Sequence, residues 1–224
     1  MSKHLQRDLE NLQADLLALA ASVEQAVHEA VTSLQDRDPE LAQQVIDGDS
    51  KIDQEENHIE EECLKILALH QPVAVDLRRI AAALKINTDL ERMADVAEDI
   101  AERALHLAQL PPIPIPEKLQ HMTNLTIQMV RQSLDCFVNL DTRQARVVCQ
   151  MDDEVDHYNK EIIDELLVAM RESAEMVEPG LSLFSATRHL ERIADHATNI
   201  AEDVVYLVEG EIIRHRPVEA VTKV

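Results

Sequence analysis

The sequence predicts an all-α protein: two tandem three-helix bundles of similar structure, six long helices in all. Three observations carry that expectation. Apolar residues recur at steps of three and four through each long segment free of proline, which is the spacing of a single buried stripe on a helix. Aromatic residues make up 2% of the chain, with no Trp and only three Gly, whereas sheets and their tight turns draw on those residues. A fourteen-residue segment of the first half also returns in the second half at an offset of 100 residues.

Prolines mark the elements. They are Pro39, Pro72, the cluster Pro111, Pro112, Pro114 and Pro116, then Pro179 and Pro217. A helix interior rejects proline because it lacks an N–H and clashes with the preceding turn. The first helix runs from about Ser2 to Asp36, with Leu5, Leu9, Leu12, Leu16, Leu19, Val23, Val27, Val31 and Leu34 on one face. Pro39 suits the first turn of the second helix, with Asp38 as its N-cap. That helix reaches His70, with Leu41, Val45, Ile52, Ile59, Cys63 and Ile66 inward, and Pro72 breaks it. The third runs from Val73 to Ala108 along Ala83, Ile86, Leu90, Met93, Ala97, Ile100 and Ala104.

Four prolines in the six residues 111–116 favour an extended spacer. The expected division is therefore a first bundle at 1–110, a linker at 111–116, a second bundle at 117–216 and a tail at 217–224. Within the second bundle, helix four spans Glu117 to Asn139 and helix five Asp141 to Ala174, with Pro179 and Gly180 ending that hairpin. Helix six spans Leu181 to Glu209 and is closed by Gly210 or by the Arg214–Pro217 stretch.

Charge narrows the function. There are 43 acidic and 21 basic residues, a net charge of −22. Nucleic acid would be repelled, and so would an anionic membrane surface. Three cysteines, Cys63, Cys136 and Cys149, with no CxxC spacing, read as reduced thiols of a cytoplasmic protein. The start, Met1-Ser2-Lys3-His4, leads straight into a charged amphipathic pattern and not into a secretory signal. No apolar run approaches the ~18 residues of a membrane span.

The repeat carries the chemistry. Residues 89–102 read DLERMADVAEDIAE and residues 189–202 read HLERIADHATNIAE, identical at nine of fourteen positions. Apolar periodicity explains the shared Leu, Ile and Ala, but not Glu91/Glu191, Arg92/Arg192, Asp95/Asp195 and Glu102/Glu202. A weaker echo sets Asp49 and Asp53 against Asp152 and Asp156. Each acidic pair is four residues apart, hence on one helical face about 6 Å apart. Folding helices two and three about Gln71–Pro72 puts Asp53 beside Glu91 and Asp49 beside Asp95. In the second unit, Asp156 meets Glu191 and Asp152 meets Asp195 to within about one turn.

Asp49 lies four residues after Val45 and three before Ile52, on the apolar seam. The acids thus border the helix contact, where unpaired carboxylates repel or take up protons. A multivalent cation relieves this, and oxygen donors suit Mg, Mn, Ca and iron, with Zn also possible. The metal candidates are Asp49, Asp53, Glu91, Asp95, Asp152, Asp156, Glu191 and Asp195. Glu102, Glu202 and His196 are further motif residues. The competing reading is a salt-bridged helical face, with Arg78, Arg79, Arg92, Arg188 and Arg192 nearby. His58 and His157 each follow a Glu by three, as in di-iron bundles, but do not align in the repeat. No Gly-rich phosphate loop, GxSxG or HExxH occurs.

These segments resemble the PhoU family, whose hallmark is a paired E/DxxxD motif in LERxADxAxNIAE-like helices. The second copy, Leu190 to Glu202, matches closely. The first differs at Val96, Glu98 and Asp99, where the second has His196, Thr198 and Asn199. Residues 71–78, QPVAVDLR, also look like the family's QPVAxDLR segment, and Asp76 and Arg78 within it are candidates for partner contact. The resemblance implies a PhoU-like fold and a cytoplasmic homodimer, not an enzyme. It implies repression of the phosphate-starvation response and a bridge between a phosphate ABC transporter ATPase and a sensor histidine kinase. It also implies multinuclear metal, iron foremost, at the paired acids. The alternatives are a carboxylate-bridged di-metal enzyme and a metal-free helical adaptor.

Overall fold

In the computed structural model, which describes residues 3–211 and 213, the proline-free segments are helices. They are α1 (Lys3–Asp36), α2 (Pro39–His70), α3 (Ala74–Gln109), α4 (Glu117–Asn139), α5 (Thr142–Glu172) and α6 (Val177–Glu209), with a 3-10 turn at Ala174–Met176. No strand occurs among the described residues. Residues 217–224 and the Arg214–Pro217 stretch lie outside the described residues.

The ends follow from capping. Asp38 accepts from the amides of Glu40 and Leu41, with Pro39 in the first turn of α2, and Asp141 does the same for α5 through Arg143 and Gln144. Gly210, at φ +76°, closes α6 in the left-handed region. The Arg37 guanidinium donates to the carbonyls of Leu107 and Leu110. A charge from the α1–α2 turn thereby caps the negative end of α3.

Pro179 and Gly180 do not end the second hairpin. They lie inside the first turn of α6, and the break falls at residues 173–176. Proline is tolerated there because the first amides of a helix have no intrahelical partner. Gly180 packs closely on α5, since a Cβ there would sit 2.8 Å from Met170 Cγ and make that side chain shift. Moving the turn brings Asp152 and Asp195, and Asp156 and Glu191, nearer to equal distance from it.

The apolar stripe of α1 is buried as its spacing predicts, as are Ala83, Ile86, Leu90, Met93, Ala97, Ile100 and Ala104 of α3. On α2, Ala42 is buried in the place given to Leu41. α1, α2 and α3 pack on one another, as do α4, α5 and α6, and α3 with α6 forms an extensive contact that joins the two sets. Segment 111–116 has no regular structure, yet Ile113 and Ile115 rest against the core.

Polar pairs set the register of α3 on α6. Lys85 Nζ meets Asp203 Oδ1 at 2.6 Å, Asn199 donates to Asp89 Oδ1 at 3.2 Å, and His189 Nδ1 lies 3.5 Å from Asp99 Oδ2. His106 Nδ1 is 2.9 Å from Ser182 Oγ. As one number rises the other falls, so the helices are antiparallel. Shifting by the repeat turns the Asp89–Asn199 pair into His189–Asp99, which defines a pseudo-two-fold relation centred on the buried Ala94 and Ala194.

Candidate metal centre

The acids of the first unit form two facing rows. On α2, Asp49, Asp53, Glu56 and Glu60 follow the i, i+4, i+7, i+11 spacing of one helical face, and on α3 Glu91, Asp95, Glu98 and Glu102 repeat it. The α2–α3 turn sets the two rows at one height. Asp49, Asp53 and Asp95 each offer a carboxylate oxygen within 4.8 Å of the others. Asp49 is half-buried, and its Oδ1 is shielded from solvent with no hydrogen-bond partner.

Electrostatics agree with that crowding. Burial, then the charges of Asp53 and Asp95, pushes the Asp49 carboxyl above its usual range. Burial, then Asp95, Glu56 and Asp53, raises Glu91. Asp95 is raised by burial and by Asp53 and Asp99, with Arg192 and Arg92 opposing. Neighbouring carboxylates thus make ionisation of Asp49, Glu91 and Asp95 harder.

The second unit places Asp152, Asp156, Glu191 and Asp195 between α5 and α6 in the same way. Burial, then Asp195 and Asp156, lifts Asp152 to about 7, with the neighbouring Thr198 hydroxyl opposing. Asp195 is raised by burial and by Asp156. Burial also raises Glu191, but Arg188 opposes it by donating to Oε1 at 2.8 Å.

Two residues escaped the sequence reading. Glu98 is raised by burial and by Asp49, and Glu56 is raised by burial, Glu60 and Asp53 while Asn87 donates to its Oε1 at 2.8 Å. The signal was present, since both continue the rows by three residues. Neither acid is shared by the two repeats, whose second copy has Asn159 and Thr198 in their places.

Other candidates have different surroundings. His196 Nδ1 bonds Asp89 Oδ1 at 2.8 Å across the α3–α6 contact and is not among the clustered acids. Glu102 is exposed and paired with Arg103 at 3.1 Å. Glu202 shares with Arg92, Asp95, Arg192, Asp195 and His196 the lining of a groove of about 810 Å³ between the units. Asp76 and Arg78 are half-buried, and the Arg78 guanidinium is held against Gly210, with Nη1 3.3 Å from the place of a Cβ. His58 and His157 are exposed, with His157 3.6 Å from Glu161. The three cysteines are free thiols, and burial pushes Cys63 and Cys149 up to about 12.

The α2–α3 site fits a hard cation. Its donors are all carboxylate oxygens, they converge, and Asp49 Oδ1 is a buried acceptor without a donor. Asp49, Asp53, Asp95 and Glu91 would hold the ion, with Glu98 beside them. The ion would supply positive charge at the point where the three carboxylates converge.

Fold and site together define a class, the tandem three-helix protein with one acidic centre per repeat. The model of the PhoU domain matches residues 16–104 and again 119–204. A Pseudomonas putida protein named as a phosphate-specific transport system accessory protein PhoU homolog is 40% identical over 99% of this chain and 87% of its own length. The crystal structure of PhoU from Pseudomonas aeruginosa superposes with a TM-score of 0.90 at 41% identity, covering 92% of this chain and 99% of that one. The phosphate transport system regulatory protein PhoU from Streptococcus pneumoniae gives 0.87 at 31% identity, covering 93% and 98%. The chain belongs to the PhoU family.

Proposed function

We propose that this protein regulates phosphate uptake as an accessory of a phosphate-specific transport system, and that cations bound by its two acidic centres brace each helix pair. The names carried by full-length relatives support the first part. The second part rests on one observation, the convergence of Asp49, Asp53 and Asp95 within 4.8 Å. Iron is the metal we favour, with Zn, Mn and Mg as alternatives that the same oxygen donors accept. In this reading the protein is a cytoplasmic homodimer without enzymatic activity. It touches the transporter ATPase and a sensor histidine kinase and relays phosphate sufficiency between them.

Among the described residues no helix is long and apolar enough to cross a membrane, and in this reading the protein docks on the transporter. A di-metal oxidase would need imidazole ligands at the cluster, and His58 and His157 are exposed and outside it. Deleting the gene tests the regulatory role. Phosphate-responsive transcripts should stay high in phosphate-rich medium, and wild-type repression in the deletion strain contradicts the proposal.

A further inference from the structure

The two acidic centres are not equal. On α2 the row is Asp49, Asp53, Glu56 and Glu60, whereas the aligned residues of α5 are Asp152, Asp156, Asn159 and Ile163. On α3, Glu98 follows Asp95, and on α6 Thr198 follows Asp195. Three carboxylates of the first centre are thus neutral residues in the second.

Positive charge runs the other way. Thr88, three residues before Glu91, is exposed and donates to the Leu84 carbonyl at 3.1 Å. Its counterpart Arg188 donates to Glu191 Oε1 at 2.8 Å, and its charge also acts on Asp195. The second centre therefore has a guanidinium bonded to one of its acids, whereas Arg92 and Arg192 act on the first through their charge. Asp49 Oδ1 is shielded from solvent and has no donor. Among the described residues, the group of three converging carboxylates is in the first unit.

We propose that the α2–α3 centre is the high-affinity cation site of the chain, and that Arg188 is a built-in competitor that makes the α5–α6 centre weaker and later to fill. The proposal rests on the metal reading above. Affinity for a hard divalent ion rises with the charge of the ligand set. It falls where a ligand must first leave a guanidinium partner. The two halves then respond in different ranges of cation concentration, and between those ranges the protein holds an ion in one half while the other is closed by its own ion pair.

The test is Mn²⁺ binding to the chelator-stripped full chain, followed by calorimetry. Wild type should show two classes of sites separated by roughly tenfold or more in Kd. Asp49→Asn should remove the tighter class. Arg188→Thr should tighten the looser class by roughly threefold or more, and Thr88→Arg should weaken the tighter class while sparing the looser. Thr88 and Arg188 are both exposed, and thermal melts of the two variants check that they fold. A single class of equal sites overturns the ordering, as does loss of the tight class in Asp152→Asn but not in Asp49→Asn, or a looser class indifferent to Arg188→Thr. Wild type that takes up no Mn²⁺ overturns the metal reading itself and the ordering with it.

Discussion

Asp49 sits between Val45 and Ile52, both buried, so the helical spacing that builds the core of α2 also draws this carboxylate into the seam. Its raised pKa means that the folded protein holds the Asp49 proton more tightly than the unfolded chain does. The ionised form therefore opposes folding at neutral pH. Asp49→Asn should stabilise the metal-free protein at pH 7 by about 0.5–1 kcal/mol, allowing for the part of the side chain that solvent screens. Near pH 4 the gain should vanish, and chemical denaturation at the two pH values measures both. Placing Asp49 at the seam needed only the sequence, because Val45 and Ile52 flank it at helical steps. That Glu56 and Glu98 lean on the same cluster was not legible in the same way. Their counterparts are Asn159 and Thr198, and a repeat displays what its copies share, not what one copy adds.

Helix ends are where local chemistry met tertiary context. Asp38, Pro39, Asp141 and Gly210 announce the ends they make, because capping is a short-range matter. Pro179 and Gly180 mislead for the same reason. A proline at the third position of a helix looks like a break until the preceding 3-10 turn is known, and Gly180 answers to Met170 on the facing helix. Arg37 belongs with the second kind of case, since nothing near it in sequence foretells the carbonyls of Leu107 and Leu110, some seventy residues on. Charge-assisted bonds to the end of a helix carry more than neutral ones. Arg37→Ala should therefore lower the stability of the protein by about 1–2 kcal/mol. Arg37→Lys should recover part of that loss, read as a shift in the denaturant midpoint.

For the whole molecule, the relation between the halves follows from the repeat, but its geometry does not. The repeat shows two units; antiparallel α3 and α6 appear only once Lys85–Asp203, Asp89–Asn199 and Asp99–His189 are seen to pair. That arrangement brings Asp95 and Asp195 to one groove between the units. It also sums two crowded sets of carboxylates in one molecule with a net charge of −22.

Thermal melting as a function of pH, with and without Mn²⁺, tests that crowding directly. Asp49, Glu91, Asp95, Glu98, Asp152, Glu191 and Asp195 all have pKa values raised in the folded state. Asp152 reaches about 7. Unfolding then releases protons between the usual carboxylate range and neutrality, and stability falls as pH rises through that window. Burial of His189 lowers its pKa and works in the opposite sense, which is why the comparison with metal decides the matter. From about pH 5 to about pH 8, the metal-free Tm should fall while the Mn²⁺-loaded Tm holds, so the gap between them should widen. A gap that stays at zero, or narrows as pH rises, contradicts the account.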